Sequence, residues 1–426
     1  MLNRSISKWE MVLLFINGII GAGIFGLPSK AFKISGVYSI AAILVCAVAV
    51  FFIILCFAEV SSRFDKTGGP YLYAYSSFGP LPAFLTGWLL FLTRFITYAA
   101  LINLLITYLA VFSPWFLQPS SRIISIVFIT ILLAFINHVG VKNSTRFNNV
   151  LTIAKLIPLF LFIIVGLFYI EPANFEVKEV PGFSSFSSTV LLLVFAFGGF
   201  ESVLVNSGEV KNPAKNLPFA LLLATTIIAI LYVLIQTVSI GTLPTIGSSD
   251  KPLAEAAGLF IGKTGATIIA IGALFSITGT LNAIMLVGSR VPFALSEQQQ
   301  FPKVFSYVHP RFNTPTWSLL LFMSITILVS ITNSFLYAAT ISAIIRIMIY
   351  AIVCIALIKL RKKRADQTGY FKVRYGKAVA IVGLLITFWL LSSSKINEIR
   401  DVSIASAVGL IIYFVFEHYK KRKNEY

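Results

Sequence analysis

Long stretches without any charged residue limit what this chain can fold into. Several of them exceed the roughly 20 residues that a helix needs to cross a bilayer; they include 34–58, 95–121, 216–249, 264–289 and 312–345. Apolar residues make up 58% of the chain and charged residues 12%, a composition that excludes a soluble globular protein. The runs do not alternate with a period of two, so a membrane β-barrel is excluded too. The sequence therefore predicts an all-α polytopic membrane protein.

The apolar segments divide the chain into twelve predicted transmembrane helices, the sixth of which begins near Ser188. Helices 1–5 and helices 6–10 form two groups of five, and helices 11 and 12 lie outside these groups. The predicted boundaries are, in order, a cytoplasmic N-terminus at 1–9, a first five-helix group at 10–170, an extracellular loop at 171–187, a second five-helix group at 188–364, helices 11 and 12 at 365–419, and a cytoplasmic C-terminal tail at 420–426.

The basic residues are distributed unevenly between the loops. The formal net charge of +18 invites a nucleic-acid interpretation, but about 23 of the 34 lysines and arginines fall on one side of the predicted membrane and about 8 on the other. This excess marks the cytoplasmic side of a plasma membrane and predicts that both termini lie there. The basic runs at 359–364 and 420–423 are expected to face lipid headgroups. The predicted partners are therefore the bilayer and a small-molecule substrate, and not nucleic acid.

The first predicted helix is interrupted near its middle. Residues 18–28 read GIIGAGIFGLP, with three glycines in the first six positions and a proline at the end. Each glycine costs a helix interior about 1 kcal/mol relative to alanine, so the helix is expected to break here. Backbone groups freed by a break need partners inside a membrane, and a ligand can supply them. The alternative explanation is close packing of ordinary helices, in which glycine is also common.

The sixth predicted helix is interrupted as well, in the sequence FAFGGFES at 195–202. It lies five helices after the first, and an odd offset makes the two cross the membrane in opposite directions. Breaks at corresponding positions of two oppositely oriented halves are typical of inverted-repeat transporters, which bind their substrate near the bilayer midplane. The coincidence favours a five-plus-five inverted repeat with broken helices 1 and 6 over ordinary close packing.

Three groups of motifs resemble those of one transporter superfamily. They are GAGIFGLP at 21–28, AEVSSRF at 58–64 with GGPY at 68–71, and FAFGGFE at 195–201 with GEVKNP at 208–213. In this order they are similar to the motifs of the amino acid–polyamine–organocation permeases. The similarity runs from residue 9 to about 302, and more loosely to 364. It implies the five-plus-five inverted-repeat fold and a secondary transporter that binds amino acids at the two breaks.

The two breaks supply the predicted substrate site. Backbone amides of the first break would face an anion and its carbonyls a cation, so one broken helix can hold both charges of an α-amino acid. The resemblance places an aromatic residue, at the position of Phe195, over the substrate. The predicted substrate-binding residues are Ile19, Gly21, Ala22, Gly23, Ile24, Phe195, Ala196, Phe197 and Gly198. For the two phenylalanines ordinary packing is the alternative, since the chain contains 38 of them.

Two ionisable residues within predicted helices are candidates for proton coupling. A charged side chain is costly inside a membrane, which favours a functional role. Lys155 lies in the fifth helix, and the resemblance implies that its ammonium takes the place of the cation that sodium-coupled relatives bind between helices 1 and 8. The resemblance also implies an acid at the position of Glu201 in several members. The alternatives are a lysine satisfied by carbonyls or reaching the cytoplasm, and a permanently protonated glutamate.

The remaining polar residues of the predicted helices have no assigned role. Arg94 and Arg346 lack obvious partners in the sequence, and a gate ion pair or a helix contact is favoured over contact with substrate. Thr278, Thr280 and Asn282 on the eighth helix could add polarity to the pocket. The cysteines show no metal-ligand or redox spacing, so the sequence predicts no metal and no cofactor, and a proton as the coupling ion.

The sequence therefore predicts a secondary active transporter. A membrane enzyme would need a nucleophile–base pair or a metal cluster, a channel a continuous polar pore, and a primary pump a phosphate-binding loop, and the sequence contains none of these patterns. Side chains around the breaks are small, aliphatic or aromatic. These side chains favour neutral, apolar amino acids as substrates. With Lys155 and Glu201 as the candidates for proton coupling, we expect proton-coupled, sodium-independent uptake by alternating access. The alternative is an exchanger of amino acids or polyamines, including cationic amino acids.

Overall fold

The computed structural model describes residues 6–21, 23–64, 68–139, 144–177, 179–297, 301–312, 314–363 and 370–424. Within these residues the chain forms α-helices and short 3₁₀ turns, and its β-structure is limited to one isolated bridge between Ile6 and Val210. The α-helices, numbered in chain order, are α1 Lys8–Ile19, α2 Gly23–Ser35, α3 Ser39–Ser62, α4 Pro70–Phe78, α5 Pro80–Leu109, α6 Pro119–Val139, α7 Ser144–Gly166, α8 Phe183–Phe197, α9 Phe200–Val203, α10 Pro213–Thr242, α11 Pro252–Phe260, α12 Lys263–Glu297, α13 Thr316–Thr332, α14 Phe335–Lys363, α15 Gly376–Ser392 and α16 Ile396–Asn424.

Several helical stretches are long and apolar enough to cross a membrane. In the described part of the chain, eight stretches meet this criterion: Gly23–Ser62, Pro80–Leu109, Pro119–Val139, Phe183–Val203, Pro213–Thr242, Lys263–Glu297, Phe335–Lys363 and Ile396–His418. Shorter apolar helices lie at Lys155–Tyr169, Thr316–Thr332 and Gly376–Ser392. The predicted all-helical membrane architecture is thus confirmed, whereas the division into twelve spans and two inverted halves stays a prediction.

Both predicted interruptions are present. α1 ends at Ile19 and α2 begins at Gly23. α8 ends at Phe197 and α9 begins at Phe200. Gly199, which lies between them, has a φ angle of 116°, a conformation that glycine adopts without steric cost. The glycine clusters therefore split two apolar segments, as their low helix propensity predicts.

The split helices lie in the interior of the bundle. α1 packs on α10, and α2 packs on α8. α5 contacts α12, α13 and α14, while α3 contacts α8, α10, α14 and α15. The apolar side chains of these helices form one continuous buried core. α16, in contrast, is mostly exposed along its apolar part, as expected of a helix that faces lipid.

Two short helices lie between the long apolar segments. α4 begins at Pro70 and α11 at Pro252, and proline suits a first helical position because its missing N–H has no helical partner there. Neither helix is long enough to appear as an apolar span. α8 begins at Phe183, before the predicted start near Ser188. The serines of its first turn lower the local hydropathy but do not prevent a helix.

Candidate substrate site

The two broken helices meet at their glycines. A Cβ atom built on Gly199 would lie 2.1 Å from the carbonyl oxygen of Gly18, and one built on Gly23 would lie 2.9 Å from the Cα atom of Ala196. Side-chain carbon atoms essentially never approach other atoms this closely. Only glycine therefore allows the two backbones to come together, and the structure brings the two predicted halves of the site into contact.

A tyrosine without a predicted role bridges the two breaks. The hydroxyl of Tyr232 on α10 lies 2.9 Å from the carbonyl oxygen of Ala196 and 3.4 Å from that of Ile19. Its ring packs edge-on against Phe197, with 5.2 Å between ring centroids. The signal in the sequence is a tyrosine inside a long uncharged run, because its hydroxyl must find a partner within the protein.

The ammonium group of Lys155 fills the carbonyl end of α1. It donates to the side-chain oxygen of Asn17 at 2.7 Å, to the carbonyl oxygen of Asn17 at 3.0 Å and to the carbonyl oxygen of Ile20 at 2.5 Å. Three acceptors match the three donors of a charged lysine. The side chain is almost fully buried. A positive group thus lies where the carbonyl end of a half-helix favours positive charge.

The amide end of α2 lies across the same break. Because α2 begins at Gly23, the amides of its first turn, including that of Ile24, have no partner in their own helix. A Cβ atom on Gly21 would lie 3.9 Å from the side chain of Thr280 on α12, so this threonine borders the break. Ala22, the remaining predicted residue of this break, lies outside the described residues. The amides of this turn can bind the carboxylate of an amino acid, whereas the carbonyls of Asn17 and Ile20 already accept hydrogen bonds from Lys155.

The two predicted aromatic residues have different surroundings. Phe195 packs edge-on against Phe335 at the start of α14, with 6.2 Å between ring centroids. A Cβ atom on Gly26 of α2 would lie 2.8 Å from the same ring. Phe197 instead packs against Tyr232. Phe195 is therefore the aromatic residue that connects α8 with α14 near α2, whereas Phe197 supports the tyrosine.

Glu201 and Arg346 form a buried ion pair beside the second break. One carboxylate oxygen of Glu201 accepts a hydrogen bond from the Arg346 guanidinium. The other oxygen accepts from the N–H of Gly199 at 2.9 Å and from the hydroxyl of Tyr350 at 3.4 Å. Of the two possibilities that the sequence left open for Arg346, the structure shows an ion pair, and its partner is the acid next to the break. Its role as a gate stays a prediction.

A second arginine lies near this pair on α5. Arg346 donates to the hydroxyls of Ser342 and Thr97, each at 3.3 Å, and these two hydroxyls are 2.8 Å apart. Arg94 lies one turn along α5 from Thr97, close enough to Arg346 for the two charges to act on each other. It is partly exposed, and it forms no hydrogen bond or ion pair with any residue that the structure describes.

The polar residues predicted on the eighth helix, which is α12, do not all face the first break. Thr280 borders the first break. Asn282 instead accepts a hydrogen bond from the Asn137 side chain of α6 at 2.8 Å. Thr278 is half-buried. Spacing in the sequence could not separate these residues, because the rotation of a helix inside an apolar bundle depends on packing with its neighbours.

Fold and site together define a membrane permease. Two interrupted helices meet inside a bundle of apolar helices, with the ammonium of Lys155 at the first break and the carboxylate of Glu201 at the second. Sequence comparison agrees. Residues 6–416 match the amino acid permease family. The chain belongs to this family, within the amino acid–polyamine–organocation superfamily, and is therefore a multi-pass membrane transporter and not an enzyme.

Three relatives from Bacillus subtilis (strain 168) cover nearly the whole chain. A methylthioribose transporter is 31% identical over 97% of this chain and 94% of its own length. The branched-chain amino acid permease BcaP is 28% identical over 100% of this chain and 95% of its own. The serine/threonine exchanger SteT is 29% identical over 99% and 98%. Amino acid transport is the activity that two of the three have in common.

Proposed function

We propose that this protein imports neutral, apolar amino acids together with protons, and without sodium, across the plasma membrane by alternating access. Twelve spans, arranged as two inverted groups of five plus two, would place both breaks near the midplane and both termini in the cytoplasm. Membership of the amino acid permease family supports the transport of amino acids. The coupling ion and the preference for neutral substrates rest on the residues around the breaks.

The observation that carries the coupling proposal is the position of the Lys155 ammonium. It already supplies one positive charge to the carbonyls of Asn17 and Ile20. A sodium ion placed beside it would be repelled and would lack these acceptors, so transport should not need sodium. Loss of the lysine proton would weaken the attraction between α7 and α1. The two protonation states can therefore favour different positions of α1, which is what coupling to a proton requires.

Glu201 is the second residue in this proposal that responds to protons. Its ionised carboxylate attracts Arg346 and so holds α9 against α14. Protonation would cancel that charge and weaken the pair, since the attraction of a guanidinium for a neutral acid is much smaller. Protonation of Glu201 from the outside would thereby weaken the contact between α9 and α14 at the second break, while the protonation state of Lys155 controls the contact between α7 and α1 at the first.

Uptake into proteoliposomes tests the coupling. With an imposed proton gradient in sodium-free buffer, the parent should accumulate labelled leucine, and Lys155→Met should lose this accumulation because its side chain cannot carry a proton. Lys155→Arg is the matched control that keeps the charge but does not titrate, and it should fail in the same way. Glu201→Gln should transport with a flattened pH profile. A strict sodium requirement, or undiminished accumulation by Lys155→Met, would overturn the proposal.

Competition against labelled leucine tests the substrate class. Apolar amino acids should compete best, and lysine, arginine and putrescine should compete poorly. Methylthioribose, serine and threonine belong in the panel because relatives are named for them. Uptake that requires an internal amino acid would establish the exchanger alternative. Competition by methylthioribose alone would show that the preference for amino acids is wrong for this chain.

A further inference from the structure

We propose that the Glu201–Arg346 pair and Arg94 form a charge filter at the substrate site, which admits neutral side chains and excludes cationic amino acids and polyamines. The proposal rests on the proposed function, because it takes the two breaks as the place where substrate binds. It assigns a role in specificity to residues that are neither backbone ligands nor the coupling lysine.

The pair touches the unwound segment of the second break directly. A Cβ atom on Gly198 would lie 2.5 Å from a guanidinium nitrogen of Arg346 and 2.7 Å from its Cδ atom. Glu201 binds the amide of the next residue, Gly199. Both charged groups therefore lie against the backbone that lines the proposed pocket, so a substrate on this backbone would lie next to them.

The carboxylate of Glu201 is not available to a cationic substrate. Arg346 neutralises its charge, and its second oxygen accepts hydrogen bonds from the Gly199 amide and the Tyr350 hydroxyl. A lysine or arginine side chain in the pocket would need a carboxylate as its counter-charge, and it could obtain this one only by displacing Arg346. The guanidinium is anchored by two hydroxyls as well, which makes displacement unfavourable.

Arg94 gives the cluster a net positive charge. With its guanidinium included, the cluster contains two positive groups and one negative group, and Arg94 has no partner among the described residues. Like charges repel strongly inside a membrane protein, where the effective dielectric constant is low. A third cation is therefore excluded. A neutral side chain has no charge to repel, and the carboxylate of its amino acid can bind the amides at the first break.

Inhibition of leucine uptake by lysine and by putrescine tests this filter in proteoliposomes. In the parent, lysine should inhibit poorly. Arg346→Gln leaves the carboxylate of Glu201 without its main counter-charge, so lysine should gain at least about tenfold in potency relative to leucine, the ratio that 1.4 kcal/mol produces. Arg94→Gln, which has no partner to lose, should shift the ratio in the same direction by a smaller factor.

Three controls separate a filter from a structural effect. Arg346→Lys keeps the charge and should keep the exclusion of lysine even if uptake slows. The double variant Arg346→Gln/Glu201→Gln removes the carboxylate as well, and the gain for lysine should disappear. Arg122→Gln removes an arginine whose partners, Asn103 and Asn333, lie outside both breaks, and it should leave the ratio unchanged.

The outcomes distinguish this inference from the proposed function. A parent that does not take up neutral amino acids would contradict the function itself. A parent that takes them up but is inhibited equally by lysine and leucine would overturn the filter alone. An unchanged ratio in Arg94→Gln together with an unchanged ratio in Arg346→Gln would overturn it too. Should Arg346→Gln fail to reach the membrane, the ratio measured in Arg94→Gln decides by itself.

Discussion

At Gly23 the backbones of the two broken helices lie too close together for any side chain. A branched side chain there would collide with the backbone of Ala196, 2.9 Å from the position of the first carbon atom. We expect Gly23→Val to abolish substrate binding and uptake, because the two breaks could no longer approach each other around the amide end of α2. Binding of labelled leucine to purified protein and uptake into proteoliposomes measure the two effects.

Gly182 provides the matched control for this substitution. It precedes α8 with a φ of −60°, and a Cβ atom there would meet nothing within 4 Å. Gly182→Val should therefore transport like the parent. If Gly23→Val accumulates in the membrane and binds leucine with normal affinity, the first break is not where the substrate binds.

Residues with a charge inside a helix could be identified from the sequence, but their partners could not. Lys155 and Glu201 stand out because an unpaired charge is costly in a membrane. Asn17, Tyr232 and Arg346 acquire their roles only when six separate helices fix their distances and rotations. Tertiary packing determines those rotations, and no local pattern in the sequence encodes it.

On the scale of helices, a buried carboxylate joins α3, α14 and the segment before α15. Glu59 accepts hydrogen bonds from Arg361 at 2.8 and 2.5 Å, from Arg63 at 2.9 Å and from the backbone N–H of Val373 at 2.9 Å. We expect Glu59→Gln to lower the free energy of unfolding by about 3–5 kcal/mol, because it removes the buried negative charge to which both arginines donate. Thermal unfolding in detergent measures the loss.

An exposed ion pair supplies the comparison for Glu59. Lys30 and Asp250 lie 2.6 Å apart, but the aspartate side chain is 71% exposed. Asp250→Asn should cost no more than about 1 kcal/mol, because water already solvates both charges. Equal losses of stability in Glu59→Gln and Asp250→Asn would show that the buried cluster does not hold the three elements together.

The elements themselves were predictable to different degrees. Long apolar runs and glycine clusters indicated the helices and both breaks, since these signals are local. The nine-residue helices α4 and α11 were missed, as their apolar stretches are shorter than a span. The expectation that the basic run at 359–364 faces lipid headgroups is wrong for Arg361, which turns inward to Glu59. Counting charges predicts on which side of the membrane a segment lies, but not whether each of its side chains faces lipid or the protein interior.

For the molecule as a whole, the uneven distribution of basic residues predicts its orientation. Loops with many lysines and arginines stay in the cytoplasm, so the segment before α8 should lie outside and the segment between α12 and α13 inside. The helical segments α8–α9, α10 and α12 separate these two places. Three crossings are an odd number, and the two segments must then lie on opposite sides of the membrane.

Labelling with a membrane-impermeant maleimide tests this orientation. The three native cysteines, at positions 46, 56 and 354, are buried and should give little background. Glu179 and Lys303 are exposed. In intact cells Glu179→Cys should react, because its loop faces the medium, whereas Lys303→Cys should react only after the cells are permeabilised. The reverse pattern would mean that the protein is inserted upside down relative to its basic loops, and reaction of both variants in intact cells would contradict three membrane crossings between them.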